Sequence, residues 1–444
     1  MSEASTTTTS GDTYWLETLG CPKNEVDSAK LHGRLAADGM SPAESPDEAD
    51  LVVVNTCAFI EGARQESIDV ILELSDARRD GARLVVTGCL AERHGEELAE
   101  AMPEVDRVAG FGHDLTGSER LAVGRRIDHP ELSLAPADEP VPDFDLLNLQ
   151  RPASGLPWAY VKVAEGCDRK CGFCAIPSFR GTQRSRSRSS ILSEVEALDT
   201  REIVLVAQDL ARYGADLGDK GAIVPLVRDV SELVDWVRLL YLYPSELTDE
   251  LIDTICSTGV PYFDLSLQHV SRPLVRRMRR WGEGSVFLER ISTIRSREPD
   301  AALRSNFIVG YPGETEDDHQ QLLDFVEEAQ LDWCGFFPFS PEDGTYAVGL
   351  DDHVPQELMY ERLGELSELQ DRITMERRAA LIGRDIEVLV DAPGVGRSFR
   401  EAPEIDGVIA VPDSLEPGSF AAVRVTDMLG FDLEAEMVSS AVRS

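Results

Sequence analysis

The chain has 444 residues, of which 42% are hydrophobic, and a chain of this length is expected to form two or three domains. Its formal net charge is −38 at pH 7, and acidic residues outnumber basic ones 30 to 12 in residues 1–150, 39 to 26 in 151–380 and 12 to 5 in 381–444. Nucleic-acid binders normally carry a basic surface, so this charge argues against nucleic acid as a partner and favours a basic protein. Solvation of the surface explains part of the excess.

No apolar run approaches the length needed to span a bilayer, which predicts no membrane partner. The Ser/Thr-rich residues 1–12 lack the basic and apolar regions of a secretory signal, and we therefore expect a cytoplasmic protein. In that compartment the eight cysteines are expected to be free thiols or metal ligands rather than disulfides.

Residues 13–110 alternate short apolar runs with helical patterns, which predicts a flavodoxin-like parallel sheet covered by helices on both faces, in a domain of residues 13–126. The expected strands are 14–19, 51–56, 82–87 and 105–109, and the expected helices are 25–38, 61–77 and 92–102. A cysteine follows each of the first three strands: Cys21, Cys57 and Cys89. Ligands of open parallel sheets bind outside the carboxyl ends of the strands, so these thiols are predicted to hold one cluster together. The alternative for each is a buried core thiol.

Residues 127–152 hold several prolines among acidic residues and show little periodicity, so we interpret them as a linker. Residues 153–382 return to the alternation of strands and helices. Six strands are expected there: 158–164, 202–207, 236–242, 262–267, 302–309 and 332–339. Six parallel strands predict an incomplete (βα) barrel whose chemistry lies in the loops at its carboxyl face.

The first of these strands leads into a tight loop with three cysteines, Cys167, Cys171 and Cys174. Three thiols at this spacing can bind three irons of a cubane cluster and leave the fourth iron open, whereas iron–sulfur electron carriers usually have four cysteine ligands. Zinc is the alternative, but zinc takes four ligands, and the next histidine downstream is His269. The spacing, together with Phe173 before the last cysteine, resembles the radical-SAM superfamily, in which the open iron binds S-adenosylmethionine (SAM).

Two other strand ends carry candidate binding residues. Gly310 and Gly313 let the backbone approach a ligand closely, and we interpret them, with Phe173, as binding the cofactor. Gln268 and His269 stand at the end of the strand 262–267 and are weaker candidates for binding the substrate. A lone histidine such as His269 is more often structural.

A basic run follows the cysteine loop and extends from Arg180 to Arg188. Arginine suits a carboxylate or a phosphate, so Arg180 is a candidate for binding the substrate. The alternative is a loop that is solvated or held in salt bridges. The two remaining cysteines, Cys256 and Cys334, lack cysteine neighbours at strand ends, and we interpret them as core thiols.

Residues 355–383 have the apolar spacing of one amphipathic helix. Residues 383–444 then show short strands separated by Gly and Pro, which predicts a small β-barrel. The expected strands are 385–390, 407–411, 421–425 and 433–437. Such barrels commonly bind oligonucleotides, but this one is acidic.

Taken together, these features resemble the methylthiotransferases of the radical-SAM superfamily over nearly the whole chain. The residues that carry the resemblance are Leu19–Ser28, Asn55–Cys57, Thr87–Cys89, the Cys167–Cys174 loop, Pro177, Arg180-Gly181 and Gly310–Glu314. The C-terminal barrel resembles a TRAM domain. Within the family, three details resemble the branch that modifies an aspartate of the small-subunit ribosomal protein numbered twelve: Leu267–His269, Ser340–Thr345, and Gly396–Ser398 followed by Ala402–Gly407.

The resemblance implies an enzyme with two 4Fe–4S clusters that uses SAM both to generate a radical and to donate a methyl group. It implies that one cluster is held by Cys167, Cys171 and Cys174. It also implies that the Cys21, Cys57 and Cys89 cluster holds or relays the sulfur. The product would be a methylthio group on the β-carbon of the aspartate. The implied partners are the basic ribosomal protein, an external electron donor and a sulfur source.

Two alternatives to this function remain at the level of the sequence. Methylthiolation of a tRNA adenosine is the alternative reaction within the same family. The alternative class of protein is a translation factor without catalytic activity, in which the clusters only stabilise the fold. A cluster with an open iron argues against that class, because a cluster that only stabilises the fold has no use for an open coordination position.

Overall fold

The computed structural model describes residues 12–117, 119–123 and 146–438, which form two compact units. The N-terminal unit extends to Pro152 and also includes Ser178–Gly181, whereas the second unit includes Ala153–Pro177 and the chain from Thr182 onward. Most of the predicted linker, 127–152, lies outside the described residues, as does the end of the chain after residue 438. No described helix is both long and apolar enough to cross a membrane.

A parallel sheet of six described strands forms the N-terminal unit. Its elements are β1 (Thr13–Thr18), α1 (Pro22–Ala37), β2 (Ser41–Pro42), β3 (Leu51–Thr56), α2 (Glu61–Ala77), β4 (Arg83–Gly88), α3 (Cys89–Ala101), β5 (Arg107–Ala109) and β6 (Leu121–Ala122). The spatial order is β2-β1-β3-β4-β5-β6, which is the flavodoxin-like order with one further strand at the edge. β3 is buried along its whole length, as expected for a strand between two layers of helices. The predicted sheet is confirmed.

The second unit begins with an incomplete barrel. Its elements are β7 (Trp158–Lys162), β8 (Ala164–Glu165), α4 (Ile176–Arg180, whose last three residues belong to the N-terminal unit), β9 (Arg184–Ser185), α5 (Arg188–Leu198), β10 (Glu202–Val206), α6 (Ile223–Ser231), β11 (Trp236–Leu239), α7 (Asp249–Cys256), β12 (Tyr262–Gln268), α8 (Arg272–Arg277), α9 (Gly284–Arg297), β13 (Ala302–Val309), α10 (Glu316–Ala329), β14 (Trp333–Pro338) and α11 (Gln356–Ala379). Six of these strands form two parallel groups, β11-β10-β7 and β12-β13-β14, and β8 forms a separate antiparallel pair with β9. A parallel bridge between Leu242 and Leu265 connects the two groups, so that the six predicted strands follow one another in one incomplete barrel.

A closed barrel of five strands follows α11. The strands are β15 (Asp385–Ala392), β16 (Val395–Arg397), β17 (Ile409–Ala410), β18 (Phe420–Leu429) and β19 (Asp432–Met437). They close in the order β15-β16-β17-β19-β18. The predicted small barrel is confirmed, but the prediction missed β16, which has only three residues and pairs with β15 across a tight turn.

Buried ion pairs attach this barrel to the strands of the incomplete barrel. Glu202 at the start of β10 is fully buried and accepts hydrogen bonds from Arg238 at 2.7 Å and from Arg397 at 2.8 Å. Burial alone would raise the pKa of Glu202, but the two guanidinium groups lower it below its ordinary value. The carboxylate therefore stays charged and forms a buried joint between β10, β11 and the C-terminal barrel.

Candidate functional site

The three N-terminal cysteines lie at the carboxyl edge of the parallel sheet. Cys57 and Cys89 come directly after β3 and β4, and the last residues of these two strands are paired with each other. Cys21 comes three residues after β1, which pairs with β3 in register up to its own last residue. The strand order reverses between β1 and β3, and open α/β sheets bind ligands at such a point. The sheet therefore brings the three predicted ligands to one edge.

Two of these thiols stand at helix N-termini, where the partial positive charge of the helix favours a thiolate. Cys21 is the N-cap of α1, and Cys89 is the first residue of α3. Both helices begin three residues earlier than predicted. Pro22 favours the first helical turn of α1, and Gly88, at φ 91°, makes the turn into α3. A side chain at Gly88 would come within 2.6 Å of backbone atoms of Thr56, so only glycine fits.

The three thiols differ in acidity. Burial raises the pKa of Cys57 to about 12, and the neighbouring Cys89 adds to this increase. Burial also raises the pKa of Cys89, although Arg180 opposes the change. At Cys21 burial is outweighed by Lys23 and Arg180, and the pKa is lowered. Cys57 and Cys89 are therefore protonated at neutral pH, and binding of a metal centre there would release protons.

A polar network supports this edge of the sheet. The amide of Asn24 donates to the carbonyl oxygens of Leu19 and Thr56, at 2.8 and 2.9 Å, and so ties the end of β1 to the end of β3. The amide of Asn55 donates to the carbonyl oxygen of Asn24 at 2.9 Å and to Oγ of Ser28 at 2.8 Å. The positions of the cysteine-bearing turns are therefore fixed by hydrogen bonds as well as by the sheet.

Arg180 belongs to the same network. Its Nη2 donates to Oδ1 of Asn24 and to Sγ of Cys89, both at 3.0 Å, and its side chain is only 3% exposed. This is not the placement that we expected from the sequence, in which Arg180 was a candidate for binding the substrate. In the structure its guanidinium is instead in contact with a predicted cluster ligand.

The donor set of this edge fits an iron–sulfur cluster. All eight cysteines are free, and Cys21, Cys57 and Cys89 stand on neighbouring strands and turns. Across the described ranges, no three His, Cys, Asp or Glu side chains form a site for a single metal ion. A four-iron cluster is larger than one ion, so its thiolate ligands stand farther apart than those of zinc.

The second triplet lies on one loop of the second unit, after β8. Arg280 donates from Nη1 to Sγ of Cys171 at 3.2 Å, and the backbone N–H of Arg169 donates to Sγ of Cys167 at 3.4 Å. Burial raises the pKa of Cys167 to about 11. The ring of Tyr243 packs against the guanidinium groups of both Arg169, at 3.8 Å, and Arg280, at 4.3 Å. Arg280 could not be identified from the sequence, because it contacts the loop across 109 residues.

The loop is also held by close packing around Gly172. Its N–H donates to the carbonyl oxygen of Met278 at 2.8 Å, and its own carbonyl accepts from Ala347 at 2.8 Å. A side chain on Gly172 would come within 2.7 Å of the hydroxyl of Tyr311. Phe173, a predicted cofactor contact, packs against the apolar cluster that contains Tyr311. These contacts fix the position of the loop through the protein's own residues.

The two glycines that we predicted to bind the cofactor lie in the loop between β13 and α10. Gly310 and Gly313 have φ angles of 80° and 86°, which favour glycine. The space that a side chain would occupy at Gly310 is filled by Met359 of α11, 2.5 Å away. The N–H of Gly310 donates to the carboxylate of Glu314 at 2.6 Å. Packing and turn geometry thus already require glycine at these positions.

Gln268 and His269 are placed differently from each other. Gln268 ends β12 in the left-handed region, at φ 72°, next to an irregularity in its pairing with β13. Such strain in a non-glycine residue is common at functional sites, and Gln268 stays a candidate for contact with the substrate. His269 is fully buried, and its Nδ1 accepts from the N–H of Ser271 at 3.1 Å. This placement favours a structural role for His269.

The titration of His269 provides a test of that role. Burial lowers its pKa from 6.5 to about 4; Asp318 opposes the change, and His319 and Arg362 reinforce it. The unfolded chain takes up a proton near pH 6.5, but the native chain does so only near pH 4. The contribution of His269 to the free energy of unfolding is therefore fully present above pH 6.5. It falls by roughly 3 kcal/mol as the pH drops to 4, because the unfolded chain binds the proton first.

We predict that a His269→Asn variant lacks this part of the pH dependence. Urea unfolding at pH 7, 6, 5 and 4 gives the free energy of unfolding of the wild type and of the variant. The difference between the two at each pH isolates the effect of His269, because the many carboxylates titrate alike in both proteins. Parallel stability curves for the two proteins would contradict the structural assignment.

Most of the basic run after the cysteine loop is held in ion pairs. Arg186 pairs with Glu194, and Arg188 pairs with Asp229. For these two residues the structure shows the salt-bridged alternative that the sequence left open.

Three protein families match successive parts of the chain. Residues 13–110 match the uncharacterized protein family UPF0004, residues 161–326 match the radical SAM superfamily, and residues 382–438 match the TRAM domain. The ribosomal protein uS12 methylthiotransferase RimO of Moorella thermoacetica is 41% identical, over 93% of this chain and 96% of the relative. This chain belongs to the RimO family of methylthiotransferases. The RimO of Cutibacterium acnes is also 41% identical, over 94% of each chain.

Solved structures also resemble this member of the RimO family. The radical S-adenosylmethionine methyltransferase TsrM from Kitasatospora setae is 14% identical, covers 92% of this chain and 82% of its own, and gives a TM-score of 0.49. The family assignment itself rests on the full-length relatives, and it makes the chain a radical-SAM methylthiotransferase whose cofactors are two 4Fe–4S clusters and SAM.

Proposed function

We propose that this chain transfers a methylthio group to the β-carbon of an aspartate in ribosomal protein uS12. The observation that carries the proposal is full-length identity of 41% to uS12 methylthiotransferases in a chain that has two separate cysteine triplets. We also propose the functional division 13–126, 127–152, 153–382 and 383–444, in which the first and third segments each hold one triplet.

Each triplet suits one cofactor site. Cys21, Cys57 and Cys89 would hold the auxiliary cluster, and the thiols on the 167–174 loop would hold the radical-SAM cluster. When bound, the clusters and SAM supply the radical, the sulfur and the methyl group. The fixed turns around Gly88 and Gly172 support this assignment, because pre-organised ligands lose little conformational entropy on binding.

The protein around the second triplet positions its loop. Arg169 donates to Asp209 at 2.6 Å and to Glu246 at 2.8 Å, which fixes the loop between its first two cysteines. Lys162 at the end of β7 is buried and donates to Glu165 at 2.6 Å. We propose that Phe173, Gly310 and Gly313 lie along the SAM site and that Gln268 contacts the substrate.

The acidic chain supports a basic protein as the partner. In the C-terminal barrel, Glu404 is exposed and available for such a partner. Asp406 is not, because its side chain is 2% exposed and accepts from the hydroxyl of Tyr262 at 2.6 Å. We propose that an external electron donor and a sulfur source complete the set of partners and that the enzyme works in the cytoplasm, where its cluster-binding thiols stay reduced.

The choice of substrate can be tested by competition. We expect the anaerobically reconstituted enzyme, offered uS12 and bulk tRNA in equimolar amounts with SAM and a reductant, to modify only the protein. The reason is the net charge of −38, which repels a polyanion and attracts a basic protein. Mass spectrometry of the protein and of the digested tRNA measures both products. A methylthio-adenosine product with unmodified uS12 would instead identify a tRNA enzyme.

A further inference from the structure

Arg180 is a buried arginine that donates directly to a cysteine sulfur. Its Nη2 lies 3.0 Å from Sγ of Cys89, and Nη1 lies 3.3 Å from Oδ2 of Asp27. The ring of Phe111 covers the guanidinium at 4.6 Å. A charged group held this firmly away from solvent acts strongly on its neighbours, because the surroundings screen it weakly.

The supports of Arg180 fix the direction of its donors. The amide nitrogen of Asn24 donates to the carbonyl oxygens of Leu19 and Thr56, so that Oδ1 is left to accept from Nη2 of Arg180 at 3.0 Å. Asp27 is on the same helix, α1, and is itself 1% exposed. The guanidinium is thus held between α1 and the start of α3, with one nitrogen directed at the sulfur of Cys89.

We propose that Arg180 is a positioning residue that sets the electron affinity of the auxiliary cluster and fixes the orientation of its ligand Cys89. The proposal rests on the proposed function, since it takes Cys89 to be a cluster ligand. Hydrogen bonds to the sulfur ligands and nearby positive charge both stabilise the reduced form of an iron–sulfur cluster, whose potential they raise. Arg180 supplies both effects at one sulfur.

The negative charge of Asp27 does not cancel this effect. Arg180 contacts the sulfur directly, whereas Asp27 contacts the opposite nitrogen of the guanidinium. The net influence on the sulfur is therefore that of a positive charge.

The test uses the full-length chain with Cys167, Cys171 and Cys174 replaced by alanine, so that only the auxiliary cluster remains. Arg180→Gln and Arg180→Lys are introduced into this background, and Arg34→Gln is the matched control. Arg34 lies in the last turn of α1, at the opposite end from Cys21, and half of its side chain is exposed. Each protein is reconstituted anaerobically, and its cluster is titrated with reductant while the EPR signal is recorded.

We expect the Arg180→Gln cluster to be about tenfold harder to reduce, which for a one-electron step corresponds to ~59 mV toward negative potential. The reduction potential of the Arg180→Lys cluster should lie between that of the Arg180→Gln cluster and that of the parent. The reason is that lysine keeps the charge but cannot keep both hydrogen bonds. The Arg34→Gln control should match the parent. If the Arg180→Gln protein cannot retain its cluster, the potential of the Arg180→Lys protein decides in the same way.

A potential for the Arg180 variants that equals that of the Arg34→Gln control would overturn the proposal. Because the titration contains no substrate, its outcome is independent of the proposed reaction. A shifted potential, together with failure of the enzyme with both triplets intact to modify uS12, would refute the proposed function alone. An unshifted potential, with uS12 modified by the intact enzyme, would refute only the role of Arg180.

Discussion

Replacing Cys167, Cys171 and Cys174 together by alanine is expected to remove about half of the iron of the reconstituted protein and all of its cleavage of SAM. The reason is that the other triplet is built on a different compact unit, with its own sheet and its own helix N-termini. Loss of one cluster therefore leaves the ligands of the other in place. Iron and sulfide are measured per chain, and release of 5′-deoxyadenosine is followed by chromatography.

The remaining two cysteines provide matched controls. Cys256 and Cys334 lie in the second unit, as the 167–174 loop does, but neither belongs to a triplet. Their replacement by alanine should change neither iron content nor cleavage of SAM. Undiminished iron in the triple variant would contradict the assignment of the second triplet, and so would surviving cleavage.

Replacing Cys57 by alanine is expected to abolish the methylthio product while cleavage of SAM continues under reducing conditions. Cys57 lies at the end of β3 in the N-terminal unit, whereas the residues that position the other triplet, Arg169, Tyr243 and Arg280, all belong to the second unit. The variant thus separates radical generation from sulfur insertion. The measurement is release of 5′-deoxyadenosine beside mass spectrometry of uS12.

A Ser67→Ala variant controls for local damage in this experiment. Ser67 donates to the carbonyl oxygen of Cys57 at 3.0 Å and accepts from its N–H at 3.1 Å, so its loss disturbs the turn but leaves the thiol in place. It should retain methylthio product. If the Cys57→Ala enzyme formed as much methylthio product as the wild type, the N-terminal triplet would have no part in the reaction.

The architecture followed from the sequence because hydrophobic periodicity is a local signal. The periodicity predicts all six strands of the incomplete barrel in the second unit. It also predicts the three helices of the N-terminal unit. The starts of α1 and α3 were not predicted, because they depend on turn geometry: Pro22 at the first helical position and Gly88 at positive φ. β16 was missed because three residues are too few to show an alternating pattern.

The candidate site likewise has features that the sequence predicts and features that depend on packing. The cysteines could be proposed because their spacing along the chain and their position after strands are visible in one dimension. Their contacts with arginine could not be proposed. Arg180 is a candidate from the sequence only for binding the substrate, and it reaches Cys89 across 91 residues, while Arg280 reaches Cys171 across 109. Contacts of this range depend on how elements pack, and a single sequence carries no direct signal of packing.

The buried joint of Glu202, Arg238 and Arg397 limits how such a protein can be recombined. Removing one partner of a buried ion pair leaves an uncompensated charge and costs about 3–5 kcal/mol, a large part of the 5–15 kcal/mol that typically keeps a domain folded. A chimera that took its last sixty residues from a relative without an arginine in the place of Arg397 would carry Glu202 with half of its counter-charge missing. Exchange of the C-terminal barrel alone is therefore expected to destabilise the second unit unless the incoming barrel supplies an arginine to Glu202.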